Sequence, residues 1–296
     1  MTRERSADPE GMVLSDAEQE REYSPSSCIG GNYQPFIDAY ATRSALARLE
    51  AEALGGRWIE SRYGTAPSQR LDLCLPPASG QAAPVGLLVF IHGGYWQELS
   101  ARESLFAAAH CIAQGLAFAA IDYTLAPRAT LAEIVGECRR AMEWLFEHAP
   151  GFGIDAANVV VTGSSAGAHL AAMVSLPRAG GLHGPRAAVL VSGLYTLEPL
   201  IGTSVNAALG LDTAAARAQS PLLHTLAGFP TALLCWGEIE TRSFKAQSAD
   251  FTAALRRAGT PCSSFEVPAR NHFDVILDLA DPGTSLGHRT LDLFRA

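Results

Sequence analysis

Five continuous apolar runs that alternate with stretches of helical spacing constrain the fold of this chain more than any other feature. The runs cover residues 85–91, 116–121, 158–163, 187–193 and 230–236. Runs of this length and β-branched content are typical of strands that are buried on both faces. Apolar residues recur at helical spacing over residues 36–54, 101–114, 130–148, 166–176 and 243–258. The alternation predicts βαβ units in a mostly parallel sheet that is flanked by helices.

Three shorter strand candidates extend this pattern to an eight-stranded sheet. Residues 57–63 and 70–75 are separated by Gly64 and Pro67, so we expect an antiparallel hairpin at one edge of the sheet. Residues 263–268 form the last strand candidate. The sequence contains no internal repeat and no second core pattern, so it predicts one α/β domain.

The connection over residues 194–229 is longer than the usual link between a strand and the next element. A long insertion that follows a strand lies at the carboxyl edge of a parallel sheet, where ligands bind in open α/β folds. We therefore expect this segment to form a small cap over a pocket.

The formal net charge is −8, and residues 1–22 carry half of it, with three arginines against seven carboxylates. We interpret residues 1–22 as a solvated, disordered tail that precedes a single domain over residues 23–296. An acidic chain is a poor match for nucleic acid or an anionic membrane surface, so we expect neither as a partner. No apolar run approaches the ~20 residues that a membrane-spanning helix needs.

The six cysteines form no CxxC pair and have no histidine cluster beside them. A structural metal site or a disulfide framework is therefore not expected, and the pattern favours a reducing cytoplasm. We expect a small-molecule substrate and no cofactor, and the sequence leaves open whether the chain forms a homodimer.

The sharpest motif is G-x-S-x-G, which here reads Gly163-Ser164-Ser165-Ala166-Gly167. It follows a strand candidate and opens a helical stretch, which is the context that a nucleophile elbow requires. The spacing between the two glycines selects Ser165 as the nucleophile rather than Ser164. The start of the helix adds positive potential where an oxyanion would form.

A second glycine-rich turn, His92-Gly93-Gly94, follows the strand candidate at residues 85–91. Consecutive glycines allow backbone N–H groups to point into a site, so Gly93 and Gly94 are candidate oxyanion donors together with Ala166 N–H. We interpret His92 as structural. Tyr95 and Trp96, which come next in the chain, are candidates either for the core or for a pocket wall.

A serine nucleophile needs a general base and a carboxylate that orients it. His272 follows the last strand candidate, and a loop there reaches across the edge of the sheet, so we predict that it is the base. The carboxylate should follow the strand candidate at residues 230–236, where Glu238 and Glu240 are both present. Asp274 would have to fold back toward His272 and is ranked below them. The residues alone do not separate Glu238 from Glu240.

These motifs together resemble the kynurenine formamidase (arylformamidase) branch of the α/β-hydrolase superfamily, close to the hormone-sensitive-lipase-like esterases. The residues that carry the resemblance are His92–Gln97, Asp122–Pro127, Gly163–His169, Tyr23–Ser26, Ser220-Pro221 and Asn271–Asp274. The family places its acid, an Asp, in a segment that starts at Gly237 and ends at Phe244 in this chain. That register implies Glu240 as the acid, with Glu238 as the fallback.

The resemblance implies an α/β-hydrolase fold and a cofactor-independent serine hydrolase that works through an acyl-enzyme. The implied substrate is a small acyl amide or ester with an aromatic leaving group, N-formylkynurenine above all, and Tyr95, Trp96 and Tyr195 are candidate pocket residues. A carboxylesterase, another aryl amidase or a carbamate hydrolase is the alternative. A homologue that only binds a ligand is ranked low because Ser165 and His272 are both present. A dinucleotide-binding protein would need G-x-G-x-x-G after the first parallel strand, where His-Gly-Gly-Tyr-Trp stands instead.

Overall fold

The computed structural model describes residues 14–77, 83–177 and 184–295 and contains one eight-stranded sheet. The strands are β1 (Arg57–Arg62), β2 (Arg70–Leu75), β3 (Val85–Ile91), β4 (Ala117–Ile121), β5 (Ile154–Ser164), β6 (Ala187–Val191), β7 (Thr231–Ile239) and β8 (Cys262–Asn271). Their order across the sheet is β1-β2-β4-β3-β5-β6-β7-β8. Strand β2 is antiparallel to both neighbours, and β3 to β8 pair in parallel. The predicted mostly parallel α/β sheet and its edge hairpin are confirmed.

Helices cover both faces of this sheet. They are α1 (Asp16–Glu22), α2 (Gln34–Ala53), α3 (Ala108–Ala113), α4 (Leu131–His148), α5 (Ala166–Ser175), α6 (Asn206–Leu209), α7 (Thr213–Ala218), α8 (Arg242–Arg257) and α9 (Ser285–Asp292). Helices α4, α5 and α8 contribute to the core on one face, and α2, α3 and α9 to the core on the other. Along β3, Val89 packs into the first core and Leu88 and Phe90 into the second. This two-sided burial explains why the parallel strands read as unbroken apolar runs.

The predicted helix over residues 101–114 is wrong for its first part. Residues Ala101–Ser104 form a 3₁₀ turn, and α3 begins only at Ala108. Tertiary contacts hold this turn, since Asp122 accepts from the Ala101 N–H and Ser44 accepts from the Leu105 N–H. Helix spacing in the sequence does not reveal such contacts from distant parts of the chain.

The prediction of a disordered tail as far as residue 22 is wrong for residues 16–22, while residues 1–13 lie outside the described part of the chain. Helix α1 starts with a capping box in which Ser15 and Glu18 bond to each other's backbone N–H groups. Two acidic side chains of this helix bind backbone donors elsewhere, since Glu20 accepts from the Ser204 N–H and Glu22 from the Ser243 N–H. Carboxylates that the sequence predicts to be solvated therefore accept hydrogen bonds from distant backbone N–H groups.

Residues 194–229 pack onto the sheet as a cap of short helical turns with α6 and α7 among them. Leu194, Leu197 and Leu200 of this cap are fully buried in the core that also contains α8. Within the described residues, no helix has the length and apolar content to cross a membrane.

Candidate active site

Ser165 lies at the turn between β5 and α5 and has backbone angles of φ 57° and ψ −122°. A non-glycine residue with positive φ is strained, and such strain is stored where a structure holds a side chain in a required position. The surrounding fold holds Ser165 there partly through its N–H, which donates to the Val191 carbonyl at 2.9 Å. The geometry is that of a nucleophile elbow.

The two glycines of the G-x-S-x-G motif are required because backbones approach closely at this turn. A Cβ on Gly163 would lie 2.3 Å from the carbonyl carbon of Gly167, and one on Gly167 would lie 2.1 Å from the Ile91 oxygen. No side chain fits at such distances without moving β3 or β5. The two glycines of the motif are therefore explained by the close approach of backbone segments, which leaves no room for a Cβ.

The loop after β3 packs directly against this elbow. A Cβ on Gly93 would lie 2.6 Å from the Ser164 oxygen and 3.4 Å from the Ser165 Cβ. Gly94, Tyr95 and Trp96 all have positive φ, at 87°, 48° and 60°. Among the described residues, the N–H groups of Gly93 and Gly94 donate no backbone hydrogen bond, and Gly93 lies directly beside Ser165.

The buried rings of Trp96 and His169 pack against each other next to the sheet side of the loop after β3. Trp96 is fully buried, and its ring meets the ring of His169 edge-on at 5.0 Å. The Nε2 of His169 lies 2.7 Å from the Gln219 carbonyl, so it must carry the proton and donate. Burial lowers the pKa of His169 to about 4, and the imidazole is neutral near pH 7. This contact joins the loop to both the elbow helix and the cap.

His92 is almost completely buried at the start of this loop. Its ring stacks on Tyr123 at 4.1 Å, and its Nε2 lies 3.5 Å from Asp122 Oδ1. Burial alone would raise the pKa of Asp122, but the contacts with His92 and Arg70 and a backbone hydrogen bond lower it below its ordinary value. The ionised Asp122 therefore anchors the loop.

The loops after β7 and β8 bring a second pair of candidate residues together. His272 Nδ1 lies 3.0 Å from Glu240 Oε2, and both side chains are almost completely buried. The other carboxylate oxygen, Oε1, accepts from the Gly237 N–H and from the Ser192 hydroxyl, each at 2.6 Å. Since the carboxyl ends of parallel strands meet at one edge of the sheet, residues distant in sequence converge here.

The structure separates the acidic candidates that the sequence left open. Glu238 is exposed, and its carboxylate accepts from the Ala269 N–H at 2.7 Å instead of facing the imidazole. Asp274 accepts from the Asn271 N–H at 2.7 Å within its own loop. Glu240 is thus the carboxylate in contact with His272, and the register implied by the family resemblance points to the same residue.

Ser165 and His272 line the same cavity, which has a volume of about 380 Å³. Gly93, Gly94 and Tyr95 line it as well. A cavity of this size suits a small organic ligand. Among the described residues, no group of three His, Cys, Asp or Glu side chains is placed to hold a metal ion.

The predictions that Trp96 and Tyr195 line the pocket are wrong. Trp96 lies beneath the loop against His169, and Tyr195 is buried where its ring stacks on Phe251 at 4.2 Å. Both side chains have apolar core next to them, and burial there removes more apolar surface from water than a pocket wall would. From the cap, the cavity receives only Ser204 and Val205 among the described residues.

Sequence reasoning missed the segment that forms a large part of the cavity wall. The cavity-lining residues from this segment are Tyr23, Ser24, Pro25, Ser26, Tyr33, Ile37 and Tyr40. Tyr33 stacks on Phe273, next to His272, with 5.5 Å between ring centroids. The available sign of this role in the sequence is the resemblance of Tyr23–Ser26 to the family. Without that resemblance, the serines and the proline of this segment predict only an irregular lead-in.

The charged side chains around the cavity are unevenly distributed. Glu98 and Glu103 line it, whereas no arginine or lysine of the described chain does so. Tyr33 donates from its hydroxyl to Glu98 at 3.3 Å. Burial, and then the nearby charge of Glu98, raise the pKa of Tyr33, so its hydroxyl stays protonated and able to donate.

Comparisons with known proteins agree with this geometry. The family model described as BD-FAE matches residues 71–183. Kynurenine formamidase of Danio rerio is 30% identical over 90% of this chain and 92% of its own length. Esterase LipQ of Mycobacterium tuberculosis is 29% identical over 69% of this chain and 54% of its own length.

A solved structure extends the match to three dimensions. The crystal structure of a protein from Silicibacter sp. TM1040, provisionally named a thioesterase, superposes with a TM-score of 0.77 at 28% identity. The match covers 94% of this chain and 99% of that one. Both the relatives and the fold identify an enzyme of the serine-hydrolase type, with formamidases and esterases as its relatives. The chain belongs to the kynurenine formamidase branch of the α/β-hydrolase superfamily.

Proposed function

We propose that this enzyme hydrolyses the formyl amide of an aromatic amine, with N-formyl-L-kynurenine as the leading substrate and formate and kynurenine as the products. One observation carries the proposal. The buried His272–Glu240 contact opens onto the cavity that Ser165 lines, in a chain that matches a kynurenine formamidase over 90% of its length.

In the proposed mechanism, Ser165 Oγ attacks the formyl carbon while His272 Nε2 takes the hydroxyl proton. Glu240 accepts from His272 Nδ1–H, so it holds the ring in the correct tautomer and stabilises the imidazolium. The C–N bond then breaks, and the amine leaves with the proton from His272. Water, deprotonated by the same imidazole, attacks the formyl ester of Ser165 and releases formate.

Backbone donors are proposed to stabilise the oxyanion of each tetrahedral intermediate. The N–H groups of Gly93 and Gly94 come from the loop after β3, and that of Ala166 comes from the first residue of α5. Donors that are fixed before the reaction need no reorganisation when charge develops, and one such donor contributes about 3–4 kcal/mol. The backbone strain at Ser165 and in the loop supports this assignment.

The cavity wall supports an aromatic leaving group. Phe90, Phe106, Tyr33 and Phe273 line it, together with aliphatic side chains. Tyr33 and Phe273 already stack on each other beside His272, and aromatic rings add favourable offset or edge contacts to simple apolar burial. An aniline-type leaving group would extend this stack.

A second candidate function is hydrolysis of an uncharged aryl or alkyl ester, as by a carboxylesterase, or of another aryl amide or carbamate. The observation that favours it is the charge around the cavity, where Glu98 and Glu103 stand without an arginine or lysine among the described lining residues. The α-carboxylate of kynurenine would find no cation there to pair with. A neutral ester would not need one.

A comparison of kcat/KM for N-formyl-L-kynurenine, N-formylaniline and phenyl acetate separates the two functions. We expect both formamides to be preferred over the ester, and Ser165→Ala to lower the rate by at least about 10⁴-fold while the fold is unchanged by circular dichroism. A preference for phenyl acetate moves the function to the esterase. Normal turnover by Ser165→Ala contradicts the mechanism for both.

We also propose a cytoplasmic location, where the substrate is a free small molecule. All six cysteines are free, and Cys74, Cys111, Cys138 and Cys235 are buried as ordinary core residues. Unpaired thiols in this number are typical of a reducing compartment and support the proposal.

A further inference from the structure

Ser192 occupies the turn directly after β6, at a position to which neither the motifs nor the comparisons assign a role. We propose that Ser192 is a positioning residue whose hydroxyl fixes the Oε1 atom of Glu240, so that Oε2 faces His272. The inference rests on the proposed function, because it concerns the same Ser165, His272 and Glu240.

Ser192 is fully buried, and its Oγ lies 2.6 Å from Glu240 Oε1. An ionised carboxylate only accepts, so the serine hydroxyl donates. Hydrogen bonds to a charged group are about twice as strong as those between neutral groups. Together with the Gly237 N–H, Ser192 holds one carboxylate oxygen at two points and leaves the other for His272.

The backbone of Ser192 is strained. Its φ is 51°, in the left-handed region that serine adopts only at a cost, and its N–H donates to the Cys235 carbonyl at 2.8 Å. Glycine would adopt this conformation without strain, yet the chain has serine here, followed by Gly193. A strained residue whose hydroxyl meets a buried carboxylate indicates that the hydroxyl is the reason for the strain.

Ser192 directly follows the end of β6, which also contacts the nucleophile. The carbonyl of Val191, one residue earlier, accepts from Ser165 N–H at 2.9 Å. The end of β6 therefore contacts the nucleophile through its backbone and the acid through a side chain. Two adjacent residues set the positions of both sides of the candidate site.

The side chain of Glu240 is longer than that of an aspartate. It has one more rotatable bond, hence more rotamer freedom to lose on ordering. A longer carboxylate needs a second anchor to present one oxygen to His272 in a single geometry. The Ser192 hydroxyl supplies that anchor.

The test compares Ser192→Ala and Ser192→Gly with the parent enzyme, using N-formyl-L-kynurenine, or phenyl acetate if esters are preferred. We expect each variant to lose about 10-fold in kcat with KM nearly unchanged, as loss of a charge-assisted hydrogen bond implies. Glycine relieves the positive φ, so an equal loss in both variants traces the effect to the hydroxyl and not to the backbone. Ser175→Ala, which removes a buried hydroxyl bonded to Ala171, is the matched control and keeps parental kcat.

A double-mutant cycle with Glu240→Gln separates positioning from general destabilisation. If Ser192 acts through Glu240, then Ser192→Ala changes kcat by less than about 2-fold in the Glu240→Gln background. Parental kcat in both Ser192 variants, or the same 10-fold loss with and without Glu240, overturns the inference. If Glu240→Gln itself has parental kcat, the proposed acid is wrong, and that outcome is distinct from a failure of Ser192 alone.

Discussion

The two sides of the candidate site are built by different means. On the nucleophile side, backbone does the positioning, because α5 and β3 approach so closely that a Cβ on Gly167 would lie 2.1 Å from the Ile91 oxygen. On the base side, side chains do it, since Glu240 is held by Ser192 and the Gly237 N–H and in turn holds His272.

This difference decides what a substitution does on each side. The nucleophile side, which the backbone positions, has no room for added atoms, so substitutions there act by steric displacement. A side-chain-built side tolerates atoms of similar size and responds to the loss of a charge or a hydrogen bond. The following predictions test that division, beginning with the largest expected effect.

Glu240→Gln keeps the size of the side chain and removes its charge. We expect kcat/KM to fall by about 10⁴-fold, as when the acid of a serine triad becomes an amide and no longer supports the imidazolium. Glu238→Gln is the matched control, an identical substitution two positions earlier on an exposed side chain, and it should keep parental activity. A larger loss in Glu238→Gln would assign the acid to that residue.

Gly93→Ala adds one carbon on the nucleophile side, where the new Cβ would lie 2.6 Å from the Ser164 oxygen. The loop has to move, which displaces its N–H donors, so we expect kcat to fall by about 10²-fold. Gly151→Ala is the matched control, because no atom lies within 4 Å of a Cβ there. Parental kcat in Gly93→Ala would show that the loop is not part of the oxyanion site.

His169→Gln tests whether the buried imidazole under Trp96 is neutral in the fold. Burial lowers its pKa from 6.5 to about 4, so the unfolded chain binds a proton in this interval and the folded chain does not. Stability is therefore full above pH 6.5 and falls with pH below it, by about 2 kcal/mol between pH 7 and pH 5 from this residue.

Urea unfolding at a series of pH values measures how the free energy of unfolding changes with pH. We expect His169→Gln to lack the part of this pH dependence that the buried imidazole supplies. The same pH dependence in the parent and in His169→Gln would mean that the imidazole binds its proton as readily in the folded chain as in the unfolded chain.

How much of this arrangement was predictable depends on how local its cause is. Five of the eight strands, β3 to β7, follow from apolar runs. Ser165 follows from the two glycines that flank it within five residues, because steric exclusion between neighbouring backbones leaves a pattern in adjacent positions. The side of the site that depends on side-chain contacts was only half visible. The position of His272 after the last strand predicted it as the base. For the acid, the residues alone gave no basis for a choice between Glu238 and Glu240, and only the family register pointed to one of them.

The sequence by itself determined the sheet, the elbow and the loop that follows β3. Only the tertiary structure decided that Glu240 rather than Glu238 meets His272, that Ser192 anchors it, and that Tyr23–Ser26 forms a cavity wall while Trp96 and Tyr195 are buried. The acidic residues of α1 show the reason. Glu22 caps the backbone of Ser243, more than two hundred positions away, and no periodicity or spacing encodes a hydrogen bond between partners that only the folded chain brings together.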